Sequence, residues 1–195
     1  MEARPPDGAR TPDQAPAPPA TRLERWLDLD RRYSAKLRFA EQPSLLRRLA
    51  ILLAHSGDSW YLVPAMLLAA WFGGPAAQWL VARLLIAIGV LIVIIFLVKR
   101  RFKRQRPEGE WGNFYRRTDP HSFPSGHAAR MAMLAVLAFG LGPAWLGWLM
   151  FVLAPAVSLA RVAMGVHYLS DVVVGAAIGI VVGLLLLGVF ALFPG

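Results

Sequence analysis

The chain contains no cysteine. Disulfides and thiolate metal sites are therefore excluded, and cysteine usage does not mark a redox compartment. Acidic residues are few, with 12 Asp and Glu against 21 Lys and Arg and a formal net charge of +9. Residues 1–22 hold no apolar run, so no secretory signal peptide is expected there. Charge is absent from long stretches: residues 131–160 and 172–193 carry none, and residues 79–98 carry only Arg83. A soluble domain disperses its apolar residues. Here they make up 56% of the chain and come in blocks, the pattern of a membrane protein. The basic residues flank those blocks, so anionic headgroups and phosphates are expected as partners and nucleic acid is not. No carboxylate cluster with metal-ligand spacing is visible, and neither a metal nor a cofactor is expected.

Three regions follow from the composition. Residues 1–22, rich in Pro and Ala, offer little to bury and read as a disordered N-terminal tail. Residues 23–58 read as amphipathic interfacial helices. Leu23, Trp26, Leu27, Leu29 and Tyr33 alternate with charged residues in the first, and Leu45 to Ala54 carries Arg47 and Arg48 in the second. Residues 59–195 read as a transmembrane domain. A span needs about 20 apolar residues, so Trp60 to Phe72 is short and must borrow from the polar break His55-Ser56-Gly57-Asp58-Ser59 before it. Trp79 to Val98 is a clear span. The uncharged stretch that follows breaks at Gly140-Leu141-Gly142-Pro143, which gives helices near 124–140 and 143–165, and the last span is Val172 to Phe193. The expected fold is an all-α integral-membrane helical bundle of five, or six, transmembrane helices with an N-terminal amphipathic helix.

Three short motifs carry the chemistry: Lys99-x6-Arg106-Pro107, Pro124-Ser125-Gly126-His127 and Arg161-x5-His167-x3-Asp171. Proline favours a helix start and Ser caps one. Gly lets backbone approach a ligand, and a helix N-terminus binds phosphate. The plainer reading of the tetrapeptide is an ordinary cap before a membrane helix. His127 fits that reading less well, because an ionisable group at the start of an apolar span is costly and usually has a function. His167 and Asp171 stand four apart, on one face of a helix. A carboxylate on one ring nitrogen fixes the tautomer and leaves the other nitrogen as a nucleophile; the plainer reading of Asp171, with Ser170, is a cap on the last helix. Lys99, Arg106 and Arg161 supply three cations for phosphate oxygens, although Lys99 and Arg106 also suit a basic membrane flank and Arg161 interfacial snorkelling. Arg100, Arg101, Lys103 and Arg104 are read as flank alone. Arg130 shares the helical face of His127, where it is expected to meet a second phosphate or to balance Asp119 or Asp171. Trp111, Phe114 and Tyr115 read as interface anchors.

In this order and with these spacings, the three motifs resemble the signature of the type 2 phosphatidic acid phosphatase superfamily, over roughly residues 84–190. That family includes membrane lipid phosphate phosphatases and soluble vanadium haloperoxidases. The resemblance implies a metal-independent lipid phosphatase. Neutral His167 attacks phosphorus and becomes a phosphohistidine, and Asp171 holds it. His127 protonates the leaving oxygen and then activates water. Lys99, Arg106, Arg161, Ser125 and the Gly126 amide bind the phosphate oxygens. Ala160 stands where the family pattern has Ser, which removes one hydroxyl from the phosphate's surroundings. The family's usual six helices are one more than the apolar runs found here.

The implied substrate is a membrane lipid carrying a phosphomonoester or diphosphate: phosphatidate, phosphatidylglycerophosphate or a polyprenyl-linked phosphate. An undecaprenyl-diphosphate phosphatase or a lipid phosphotransferase would share the motifs. A small transporter or channel would place ionisable residues at mid-depth, whereas these gather at one rim. With five spans, the Arg-rich N-terminal region and the basic 99–117 loop are expected to put the motifs at the cytoplasmic face, in a bacterial inner membrane.

Overall fold

The computed structural model describes residues 21–40, 43–116 and 119–193. The expected tail lies almost wholly outside the described residues. Among those described, all regular structure is helical, apart from one isolated bridge between Gln105 and His121. The helices are α1 (Arg22–Lys36), α2 (Leu45–Ser56), α3 (Ser59–Phe72), α4 (Gly74–Phe102), α5 (Glu110–Arg116), α6 (Gly126–Leu141), α7 (Ala144–Ala163) and α8 (Leu169–Ala191).

Three of these, α4, α7 and α8, are long and apolar enough to cross a membrane; α3 and α6 are apolar but shorter. Together they are the five apolar helices read from the sequence. At 1.5 Å per residue, the 16 residues of α6 cover only about 24 Å. α4 begins five residues earlier than its apolar run, because Pro75 suits a first helical turn, and it ends in a left-handed Lys103.

The centre of the bundle is α6, packed between α8, α7 and α4. Leu84, Ile88, Leu91 and Ile95 of α4 meet Ala129, Met133 and Leu137 of α6 and Val182 of α8 in one buried cluster. α8 approaches α6 unusually closely. A Cβ on Gly175 would stand 2.5 Å from the Ser125 carbonyl oxygen, and one on Gly179 2.0 Å from that of Ala129. Only glycine permits this approach at either position, the usual device for bringing membrane helices together. It sets the start of α6 against the start of α8.

α1 carries Trp26, Tyr33 and Leu23 on an exposed face and buries only Ser34. Ser34 Oγ accepts the Leu169 N–H at 2.8 Å, which ties α1 to the start of α8. α2 packs Ala50 and Ala54 against Ala160 and Ala163 of α7. It descends along α7 until Gly57 lies within van der Waals reach of Val157 and His127. The polar break between α2 and α3 is thus inserted into the bundle.

Candidate active site

Five chain segments converge at one rim: the α2–α3 break, the end of α4, the segment 104–123, the start of α6 and the α7–α8 turn. Their meeting depends on the glycine-mediated contact just described. The Ser125 N–H donates to the Asp171 carbonyl at 2.9 Å, while Ser125 Oγ caps α6 through Ala128 N at 3.4 Å.

His167 is buried in the α7–α8 turn, 1% exposed. Arg106 Nη1 lies 3.2 Å from its Nε2. A guanidinium only donates, so Nε2 presents its lone pair and the ring proton sits on Nδ1. That nitrogen points at Asp171 Oδ2, 3.6 Å away, and has no partner within hydrogen-bond distance. Burial, and then the charges of Arg106, Arg161 and Lys99, push the His167 pKa well below the ordinary histidine value. The ring is therefore neutral, the form a nucleophilic nitrogen requires.

Asp171 is fully buried and serves two of the roles read from its sequence position. Its Oδ2 accepts the Tyr168 N–H at 2.9 Å, a helix cap, and also faces His167. Its Oδ1 accepts from Arg104 Nη1 at 2.8 Å. The sequence reads Arg104 as a flank residue, and the structure corrects that. It donates to Asp30 Oδ2 at 2.6 Å and to Ser170 Oγ at 2.7 Å, and its guanidinium stacks 3.9 Å from the centre of the Tyr168 ring. A chain of charge-assisted contacts thus runs from Asp30 of α1 through Arg104 to Asp171, which in turn faces His167.

Lys99 and Arg106 converge on one oxygen. Asp119 Oδ2 receives both Lys99 Nζ and Arg106 Nη2, the latter at 2.8 Å. Burial alone would raise the Asp119 pKa, but Lys99 and Arg106 more than offset it, so the carboxyl lies below its ordinary range and is ionised. Two of the three expected cations can therefore be satisfied by a single anionic oxygen. Asp119 itself carries no sequence signal beyond lying in the basic loop.

His127 pairs through Nε2 with Asp58 Oδ1. Burial favours the neutral acid, but the His127 hydrogen bond and the charges of His127, Arg161 and His55 outweigh it, leaving Asp58 ionised. An ionised carboxylate only accepts, so Nε2 carries hydrogen and Nδ1 is the nitrogen left for proton exchange. Sequence reasoning misses Asp58 because it reads as part of a helix break. The signal is an acid between two apolar runs, at the one place where the break could enter the bundle.

Arg161 is 1% exposed and does not line the cavity. Its Nη1 donates to Tyr115 Oη at 3.2 Å, its guanidinium covers the Tyr115 ring at 4.6 Å, and its Nε has no partner. Tyr115, an interface anchor by sequence, thus belongs to the site's support. Lys99, Gly126, His127 and His167 line one cavity of about 550 Å³, together with Asp119 and Arg130. Its other wall is apolar, formed by α4 residues from Ile88 to Phe96. Ser125, Arg106 and Arg161 are not among its lining residues.

Residues 80–193 match the PAP2 superfamily. The chain belongs to the PAP2 superfamily. It is 37% identical over 136 residues to the decaprenylphosphoryl-5-phosphoribose phosphatase of Mycobacterium tuberculosis, a match covering 67% of this chain and 73% of that one. Its fold is that of a transmembrane PAP2-type phosphatidylglycerolphosphate phosphatase from Bacillus subtilis, with a TM-score of 0.71 over 87% of this chain and 88% of the other at 22% identity. Aquifex aeolicus LpxE aligns with a TM-score of 0.64 over 83% of this chain and 94% of its own, at 26% identity. This PAP2 chain is an integral membrane protein.

Proposed function

We propose that this PAP2 protein hydrolyses a phosphomonoester or diphosphate of a membrane lipid, with His167 as nucleophile. The observation that carries the reading is the neutral, buried His167, whose Nε2 lone pair is fixed by Arg106. It stands in a cavity that joins a cationic rim to an apolar wall. A phosphate fits the rim and an acyl or prenyl chain fits the wall.

In the first step, His167 Nε2 forms a bond to phosphorus as the bond to the leaving oxygen breaks. His127, doubly protonated once the anionic phosphate is bound, gives that oxygen its Nδ1 proton and keeps the Nε2 hydrogen on Asp58, and Asp171 stabilises the imidazolium character on His167. In the second step, His127 takes a proton from water, the water oxygen bonds to phosphorus, and the P–N bond breaks to release inorganic phosphate and neutral His167. Lys99, Arg106, Arg161, Ser125 and the Gly126 amide are the proposed oxygen-binding groups. Losing one preorganised donor of this kind costs on the order of 3 kcal/mol in barrier. Arg106, Arg161 and Ser125 do not line the cavity, so their contacts to phosphate require the substrate to settle toward them.

Phosphate release by detergent-purified protein with EDTA present tests the reading, using phosphatidate, phosphatidylglycerophosphate and a polyprenyl diphosphate. Release from at least one lipid, unchanged by EDTA, is expected, because protein cations do the work that a metal would do. Silence on all three lipids by folded protein overturns the phosphatase reading. Appearance of phosphate only with a second lipid as acceptor would favour a phosphotransferase.

The site is proposed to face the cytoplasm of a bacterial cell from its inner membrane, supported by the basic residues 99–104 beside the rim and the uncharged turn near Gly73 opposite. The lack of cysteine makes a direct check possible. A membrane-impermeant thiol reagent applied to intact cells should label Gln78→Cys and leave Lys103→Cys untouched; the reverse pattern would put the site on the outer face.

A further inference from the structure

We propose that Arg130 forms a second anion subsite, which takes a second phosphate lying between the scissile phosphoryl group and the lipid chain. The proposal rests on the phosphatase reading above for which phosphate is cleaved. It narrows the substrate to lipids with two phosphates in series.

Arg130 follows His127 by three residues on α6. That puts it on the same helix face and about 4.5 Å farther along the axis, toward the bundle interior. It lines the same cavity as His127 and His167. Its level on the opposite wall follows from Gly126, where an added Cβ would lie 3.6 Å from Ile95 Cγ2. α4 ends and α6 begins at this rim, so the two run in opposite directions. Arg130, four residues on from Gly126, stands level with Leu91, about one turn below the phosphate-binding rim.

The guanidinium makes no direct ion pair there, and the acid whose charge reaches it, Asp58, is shared with His127 and Arg161. Nη1 donates to the hydroxyl of Ser59, a neutral group, and Nε is buried with no partner. Among the described residues no carboxylate comes within 4.0 Å of it. Asp58, the nearest acid in sequence to Ser59, is engaged by His127. Asp119 and Asp171, the partners that the helical face suggests, are held by Lys99, Arg106 and Arg104. A charged side chain in an apolar helix with a buried donor left unfilled is costly and usually marks a functional site, and an arginine fork matches phosphate oxygens.

The order of groups along the cavity identifies the ligand. His167 holds the scissile phosphorus, and His127 meets the leaving oxygen. Arg130 comes next, and then the apolar wall at Leu91 and Ile88. In a polyprenyl diphosphate, the leaving group of the terminal phosphorus is itself a phosphate bonded to the chain. In a lipid whose phosphodiester headgroup ends in a phosphomonoester, a second phosphate also lies between the scissile group and the chain. In phosphatidate that place is taken by neutral esters.

Binding and turnover are read separately. Binding uses a non-hydrolysable prenyl bisphosphonate and the prenyl monophosphonate of the same chain length, measured in detergent on wild type, Arg130→Gln and Arg130→Lys. Wild type is expected to prefer the bisphosphonate by roughly tenfold or more, the size of one charge-assisted contact. Arg130→Gln should lose that preference while binding monophosphonate within about threefold of wild type. Arg130→Lys should keep part of it, and that variant carries the test if Arg130→Gln does not fold. Turnover of phosphatidylglycerophosphate against phosphatidate then tells whether a headgroup can space the second phosphate from the first. A drop of the ratio in Arg130→Gln includes that class, and an unchanged ratio confines the subsite to diphosphates. An equal loss of both phosphonates would show that Arg130 acts on Asp58 or on packing and would overturn the proposal, as would no loss of either. A wild type that binds with this preference but releases no phosphate would overturn the phosphatase reading alone.

Discussion

A His167→Ala variant should release phosphate at a rate reduced by a factor on the order of 10⁴ or more, because the proposed covalent intermediate forms on His167. Rapid acid-free quenching of wild type with a labelled lipid phosphate should trap an acid-labile label on the protein, and the variant should show none. Label on another residue, or turnover surviving in His167→Ala, would overturn the role. The pH dependence supplies a second reading. His167 is held below the ordinary histidine value first by burial and next by Arg106. Replacing Arg106 by Gln removes a positive charge that disfavours the imidazolium, so the His167 pKa rises. The nucleophile is then lost at a higher pH on acidification. The acid limb of kcat/KM should therefore move upward in Arg106→Gln, whatever the change in its height from weaker phosphate binding. A limb that stays put would mean that Arg106 does not govern the ring.

His127→Ala should cost about 10²- to 10⁴-fold in kcat, the range of a general acid and base. Asp58→Asn should cost about tenfold, equivalent to one charge-assisted hydrogen bond of roughly 1.5 kcal/mol. The decisive observation is the double variant. If Asp58 acts only by holding His127 through Nε2, Asp58→Asn adds nothing once His127 is gone. Losses that multiply would instead assign Asp58 a separate task, such as balancing Arg161. An aryl phosphate with a good leaving group makes an internal control. It needs little protonation, so the His127→Ala defect in the first step should shrink on that substrate.

The residues proposed to act on the phosphate are legible in the sequence because they lie in short motifs of fixed spacing. His167 and Asp171 do face each other, and Lys99 and Arg106 do converge. Their partners are not legible. Asp58 is 69 residues from His127 in the chain, and Asp30 is 74 from Arg104. No local pattern relates such pairs, and an acid in a helix break or on an amphipathic surface has an adequate local explanation. Arg104 shows the same difficulty from the other side. Within a run of basic residues beside a membrane span, composition cannot tell the one that turns inward to Asp171 from those that face headgroups. Tyr115 reads as an interface residue for the same reason, since an aromatic residue near a span end is common there whether or not it carries an arginine on its ring.

By itself the sequence determined the helical class, the five apolar helices and the residue types able to move a phosphoryl group. Periodicity, uninterrupted apolar length and motif spacing are all properties of neighbouring residues. The tertiary structure decided the protonation state and pairing of those residues. Whether Nε2 of His167 is a lone pair depends on which donor a distant loop brings to it. Whether Arg130 has an ion-pair partner of its own depends on which acids other helices have already engaged. Both follow from Gly175 and Gly179 letting α8 press against α6, and from the α2–α3 break entering the bundle beside His127.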